Sequence, residues 1–517
     1  MGIEPTWSAW EAEVLPLNYT RMQVLLYPNF PRLSTLPQKF SCLRRNFSFP
    51  AELTIKDLPT KEERSVYSDL KYLAVPLPED VIKLKGYGDF ARLNRVIDLK
   101  LGKELPLPLR RRLELEKEII ALWPRAYPHT QEEALCQLRQ CFGEFEEDEL
   151  ERLRDEDAVE WAYIDGRVHY KNNFLGNLIK TRPEYESRVL DESRLRYKRE
   201  NAAMLNGIVE RMKREGSLRA RFHIRSAMTV TPPPSREGQA VTAHLPLPLE
   251  YAQVENFRLL SLSHPGAVVA PPDYPQRTVC FRAVPDRPFQ VEYAYETHMR
   301  YVALQKEQVL DQQPTFYTEE YPPHIAFTPY LRMLTAEIVG RETNPLVKAR
   351  RIYDFITTKV MYCYMRAYMT MPAIAEYAAS SLKGDCGVQA LLFITLCRIA
   401  GVPARWQAGL EVSPLDVGCH DWAQFYVAPY GWLYADPSFG GAAWRMGHME
   451  RWNFYFGNLD PYRLPANSEF QHDFYIPFRH LRHDPYDNQD GEAEYADAAL
   501  PREAVDTTHE ALSIELL

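Results

Sequence analysis

The sequence predicts a multidomain α+β protein. It reads as a mainly helical N-terminal region over residues 1–216, a β-sandwich over 217–310, and a mixed helix-and-strand unit over 311–517. Three observations carry this reading. The apolar period switches from helical to alternating at Leu218. Short alternating runs punctuated by Pro and Gly follow as far as Tyr295. A strongly apolar helix then opens at Cys386 and is followed by three more strands. A chain of 517 residues has room for such an arrangement.

Within the first region, helical patterning covers 109–122 and the acidic stretch 131–154. Residues 161–170 read as a hairpin turning at Asp165-Gly166, a dipeptide that suits a tight two-residue turn. A long helix is predicted over 186–215, with Leu205, Ile208, Val209 and Met212 on one face and Gly216 as its stop.

In the second region Leu218, Ala220, Phe222 and Ile224 alternate with polar residues, the mark of a half-buried strand. Further strands are predicted at 241–248, 255–263, 278–283 and 289–295. In the third, 346–360 is an amphipathic helix with Ala349, Ile352, Tyr353 and Ile356 on one face. The Cys386 helix ends at Gly401-Val402-Pro403, and strands are predicted at 404–410, 422–427 and 432–435. From Asp487 the tail is acidic and poor in large apolar residues, which predicts a segment that wraps the surface or is mobile.

Bulk properties exclude several functions. A net charge of −9 without a basic arm argues against nucleic-acid binding. No apolar run is long enough for a membrane span. The eight cysteines are scattered without a C-x-x-C pair, which suits a reducing compartment. The start lacks a basic and an apolar signal region, so a cytoplasmic location is expected and the sequons at Asn18 and Asn46 carry no meaning. A zinc set of Cys386, Cys419, His420 and His448 lacks paired short spacings, so neither a metal nor another cofactor is expected.

Gly384-Asp385-Cys386-Gly387 places a cysteine in the first turn of the apolar helix, with Asp385 positioned to cap it. Free N–H groups and the helix dipole there favour a thiolate and can bring a thiol pKa from about 8.5 down to roughly 3.5–7.5. His420 opens a strand that turns near Pro429 and returns to Asp436. Index arithmetic puts His420 and Asp436 nearly opposite, with Cβ atoms about 4.5–5.5 Å apart. Alone, each residue reads as an ordinary surface or core group. Together, downstream of a helix-start cysteine, they read as nucleophile, base and orienting carboxylate.

These blocks, with Gly401-Val402-Pro403-Ala404-Arg405, Trp422 and Gly431-Trp432-Leu433-Tyr434-Ala435-Asp436-Pro437, resemble the transglutaminase-like superfamily over about residues 218–465. The resemblance implies a papain-like cysteine fold, with Cys386, His420 and Asp436 as the catalytic set in that chain order. It also implies the β-sandwich that often precedes the core in bacterial members. Residues 1–216 carry no comparable motif.

The expected activity is thiol-dependent hydrolysis of a peptide or amide bond in a peptide or protein substrate. The same triad serves a transglutaminase that passes the acyl group to an amine, and a non-catalytic binding or scaffold protein is the third reading. The Cys386 backbone N–H is an expected oxyanion donor. Cys419 should point opposite to His420. The tryptophans at 406, 422, 432, 444 and 452 read mainly as packing, as do Tyr362, Tyr364 and Tyr368. Asp460-Pro461-Tyr462-Arg463 reads as a structural ion pair, with capture of a substrate carboxylate as the alternative.

Overall fold

The computed structural model describes residues 66–517, Pro501 excepted. The start of the chain and both sequons lie outside the described residues. In the helical region, the stretch read as one helix over 131–154 is two, Gln131–Phe142 and Glu147–Asp155. Gly143 breaks it at φ +84°, a backbone that only glycine adopts cheaply. Thr130 and Glu133 form a reciprocal capping box at the start of the first. The hairpin pairs Trp161–Ile164 with Arg167–Tyr170 as expected. The long helix starts later than the pattern suggests, at Glu192, where the Asp191 carboxylate accepts from Ser193 N–H. It ends at Gly216, at φ +78°. Its apolar residues Leu205, Ile208, Val209 and Met212 join the core that also runs through the sandwich and the C-terminal sheet.

Strand Ser217–Val230 pairs along nearly its whole length with Phe289–Arg300, and Val254–Leu262 extends that sheet. A second sheet contains Val241–Pro246, Thr278–Ala283 and Val268–Val269. Phe281 and Phe289, 5.5 Å apart, join the two layers. The tail departs from its composition. Glu492–Tyr495 adds a strand to the second sheet, and Val505–Leu516 pairs with Ser217–Val230 in the first. The acidic residues that made it read as a loose segment are answered across the ladder, Glu510 by Arg225 and Glu515 by Arg221. Exposed alternate positions on an edge strand can be charged without weakening its pairing.

The remaining sheet has five strands, in the order Phe456–Gly457, Gly431–Ala435, Val417–Val427, Ala404–Val412 and Arg463–Asn467. Helix Cys386–Ile399 lies on one face of it, with Phe393 and Phe425 edge to face at 5.7 Å. From Gly387 to Cys397 every residue of that helix is buried, which explains why it is apolar on all sides. The fold is multidomain α+β, and no helix among the described residues is long and apolar enough to cross a membrane.

Candidate active site

Asp385 caps the Cys386 helix: its Oδ1 accepts from Val388 N–H at 3.2 Å and from the Tyr368 hydroxyl at 2.6 Å. The caps leave two donors over. Among the described residues, the backbone N–H groups of Cys386 and Gly387 make no hydrogen bond, as the first turn of a helix allows. The half-buried Cys386 thiol donates from Sγ to Asp421 Oδ2 at 3.3 Å. Burial, with Asp421 and Asp385 beside it, pushes this thiol well above its ordinary pKa. That reverses the lowering expected at a helix start. The positive end of the helix is already answered by the Asp385 cap, and two carboxyls oppose a third negative charge.

His420 is 5% exposed, and its Nε2 lies 2.8 Å from Asp436 Oδ2. The strand register pairs Ala423 with Ala435, so Asp436 falls on the diagonal from His420 rather than directly across. The imidazole rests 4.6 Å from the Phe439 ring. Burial lowers the His420 pKa, against the pull of Asp436. With Nε2 turned to the carboxylate, the other ring nitrogen, Nδ1, makes no hydrogen bond among the described residues.

Asp436 has no solvent exposure, yet it stays ionised below the usual carboxylate range. Burial alone would raise its pKa; His420 and Arg463 together outweigh that. Its oxygens also accept from Ser438 Oγ and Phe439 N–H, both at 3.0 Å. Arg463 Nη1 stands 3.1 Å from Asp436, while Nη2 holds Asp460 at 2.8 Å. Arg463 is fully buried, so the Asp460–Arg463 pair is structural and out of reach of a substrate. Its link to Asp436 had no local signal, since the two residues lie 27 positions apart.

The structure therefore joins His420 to Asp436 and seats Cys386 on Asp421. No hydrogen bond links the thiol to the imidazole among the described residues. His420 and Asp421 are consecutive in strand Val417–Val427 and project to opposite faces. Cys419 points opposite to His420, as alternation requires, and its exposed thiol donates to Asp490 Oδ1 at 3.2 Å. Among the described residues no group of three or more His, Cys, Asp or Glu is placed to hold a metal ion.

Asp421 was passed over in the sequence. Its signal was an aspartate inside a strand that is otherwise uncharged and largely buried. It is 4% exposed, and Gln489 Nε2 donates to its Oδ1 at 2.5 Å and to the His420 carbonyl at 3.1 Å. Burial pushes its carboxyl up to about 7, with Asp487, Asp385 and Asp484 acting on it as well. Burial likewise brings Asp385 to about 6. A cleft of about 600 Å³ adjoins this cluster, lined among others by Lys171, Met365, Tyr368, Arg482, Asp487 and Gln489. Tyr368 is thus more than packing: it ties the cleft wall to Asp385. Tyr364 has a different task, its backbone N–H and carbonyl both bonded by the Asn177 side chain of the helical region.

Comparison with known proteins finds a family match over these residues. Residues 332–437 match the transglutaminase-like superfamily core. An uncharacterised protein of Haemophilus influenzae is 26% identical over 137 residues, which are 22% of this chain and 37% of that protein. The chain thus matches a little over a third of that relative's length. A candidate cysteine protease from Cytophaga hutchinsonii is similar at 16% identity and a TM-score of 0.35, covering 58% of this chain and 90% of that one. The periplasmic domain of TgpA from Pseudomonas aeruginosa is similar at 14% identity and a TM-score of 0.26, covering 44% of this chain and 91% of that one. The helix-start cysteine, the strand histidine and the Asp-Pro that follows it all lie inside or at the edge of the stretch that matches the transglutaminase-like superfamily core.

Proposed function

We propose that the protein is a cysteine-dependent amide or peptide hydrolase acting on a peptide or protein substrate, with Cys386 as nucleophile, His420 as base and Asp436 as its orienting carboxylate. The observation that carries this reading is the buried His420–Asp436 pair, one strand position from the residue that holds the Cys386 thiol. Both groups start neutral: the thiol is raised and the imidazole lowered by burial. Proton transfer from sulfur to His420 Nδ1 then accompanies attack on the carbonyl carbon, and a preformed ion pair is not needed. Asp436 stabilises the imidazolium that forms. The free N–H groups of Cys386 and Gly387 face the developing oxyanion. Collapse returns the proton from His420 to the leaving amine and yields a thioester on Cys386. Water, activated by the same imidazole, releases the acid and restores the thiol.

For this sequence of steps the sulfur must give up Asp421, and the imidazole, which projects from the opposite face of the strand, must be brought round to it by a shift of the start of strand Val417–Val427. We also propose a cytoplasmic location, on the ground that Cys136, Cys280, Cys363, Cys386, Cys397 and Cys419 are free thiols. A peptide-library digest read by mass spectrometry tests the function, using wild type, Cys386→Ala, His420→Ala and Asp436→Asn, with and without an added primary amine. Cleavage lost in all three variants is the expected result. Amine adducts in place of cleavage would assign acyl transfer. Cleavage that survives Cys386→Ala would end the hydrolase reading.

A further inference from the structure

We propose that Asp421 is a restraining residue for the nucleophile: its carboxylate holds the Cys386 S–H in a hydrogen bond that must break before His420 takes the proton, and residues 484–490 fasten that carboxylate. This rests on Cys386 being the nucleophile, and it adds a regulator to that site.

Four observations carry it. The sulfur's hydrogen bond goes to Asp421 Oδ2 at 3.3 Å, and none goes to His420. Asp421 is anchored on its other oxygen by Gln489 at 2.5 Å, and Asp487 of the same segment acts on its carboxyl. Space has been left for the contact. A Cβ added at Gly387 would stand 2.7 Å from Asp421 Oδ2 and 2.2 Å from the Tyr368 hydroxyl. Only a residue without a side chain admits both groups to the first turn of the helix.

The fourth is the charge around the sulfur. Asp385 faces it from the helix start, Asp421 from the strand, and Tyr362 and Tyr368 from the loop before the helix. Asp484 and Asp487 face Asp421 from the C-terminal segment. Lys171 is the cation near Asp385, and His420 is turned to Asp436. A thiolate here would meet the carboxyls of Asp385 and Asp421, so the proton stays on sulfur while the restraint is in place.

Gln489 bridges Asp421 and the His420 carbonyl, and it also lines the neighbouring cleft together with Asp487. A peptide chain entering that cleft would displace these two side chains first. Loss of their grip frees Asp421 and, with it, the sulfur. The restraint thus couples occupancy of the cleft to availability of the nucleophile and protects the thiol when the cleft is empty.

The test is the pH dependence of iodoacetamide labelling at Cys386 in the full chain, read peptide by peptide for wild type, Asp421→Asn and Gln489→Ala. Exposed Cys136 serves as reference, and buried Cys397 reports loss of fold. Removing one neighbouring negative charge should lower the labelling midpoint of Asp421→Asn by about one to three pH units. The rate at pH 7 should rise at least tenfold. Gln489→Ala should move the midpoint in the same direction and by less. A midpoint that stays or rises in Asp421→Asn overturns the proposal. If Cys397 becomes reactive in that variant, Gln489→Ala decides by the same criterion, since its half-exposed side chain can be truncated without opening the core. Labelling is read whether or not any substrate is cleaved. It therefore fails independently of the digest, which tests the nucleophile itself.

Discussion

Replacing Arg463 by Met should be among the most damaging changes available in this protein. The guanidinium is fully buried and bridges two carboxylates, Asp436 at 3.1 Å and Asp460 at 2.8 Å, neither more than 1% exposed. Met keeps much of the volume but removes the one cation besides His420 that pairs with either acid among the described residues. Breaking a buried pair from one side costs about 3–5 kcal/mol, because a charge is left in a low-dielectric interior. Asp436 keeps Ser438 Oγ, Phe439 N–H and His420, so the cost falls mainly on Asp460, which retains Tyr455 Oη and Tyr462 N–H. A total of about 3 kcal/mol is therefore expected, a sizeable part of a normal folding stability. Urea titration of the full chain reads this as a lower midpoint at unchanged slope. The double variant Arg463→Met/Asp460→Asn should recover part of the loss, since it removes the stranded charge as well. A loss under about 1 kcal/mol, or losses that simply add in the double variant, would refute the buried-charge argument.

Two further outcomes follow from the same cluster. Gly387→Ala should destabilise the protein by about 1–3 kcal/mol, by forcing the added methyl against Tyr368 and Asp421; thermal unfolding reads it, and an unchanged midpoint would show that the two side chains yield freely. Asp385→Asn keeps the capping oxygen but removes a carboxyl that burial raises from 3.8 to about 6. Because the folded value lies above the unfolded one, the wild type loses stability as pH rises through that window. The variant escapes this loss and should be more stable at pH 8, by at most about 3 kcal/mol, with the advantage gone near pH 4. Melting temperatures measured from pH 4 to 8 check the sign; a gain confined to low pH would contradict it.

What could be read from the sequence was what is written locally. Gly384-Asp385-Cys386-Gly387 ahead of an apolar run marks a capped helix without any knowledge of its neighbours, and the cap is there. His420 and Asp436 meet because a hairpin obeys simple counting, off by one diagonal step. The pKa of Cys386 could not be read in this way. It depends on Asp421, which is pressed against the helix by packing of strand Val417–Val427, and on residues about a hundred positions further on. Arg463 was legible as a partner of Asp460, three residues away, but not as the support of Asp436. The tail misled for the opposite reason. Its acidic composition described one face of a strand, and the arginines that answer it sit nearly three hundred positions earlier.

The pairing of Ser217–Val230 with Val505–Leu516 has a bearing on how the molecule is made. A chain emerging from a ribosome exposes the first of these strands long before the second exists. During that interval one edge of the sheet is unsatisfied and open to a stray partner. Closure over so large a sequence separation is slow, so the sandwich should be late in folding. Nascent chains halted before residue 505 would be the species most prone to clump.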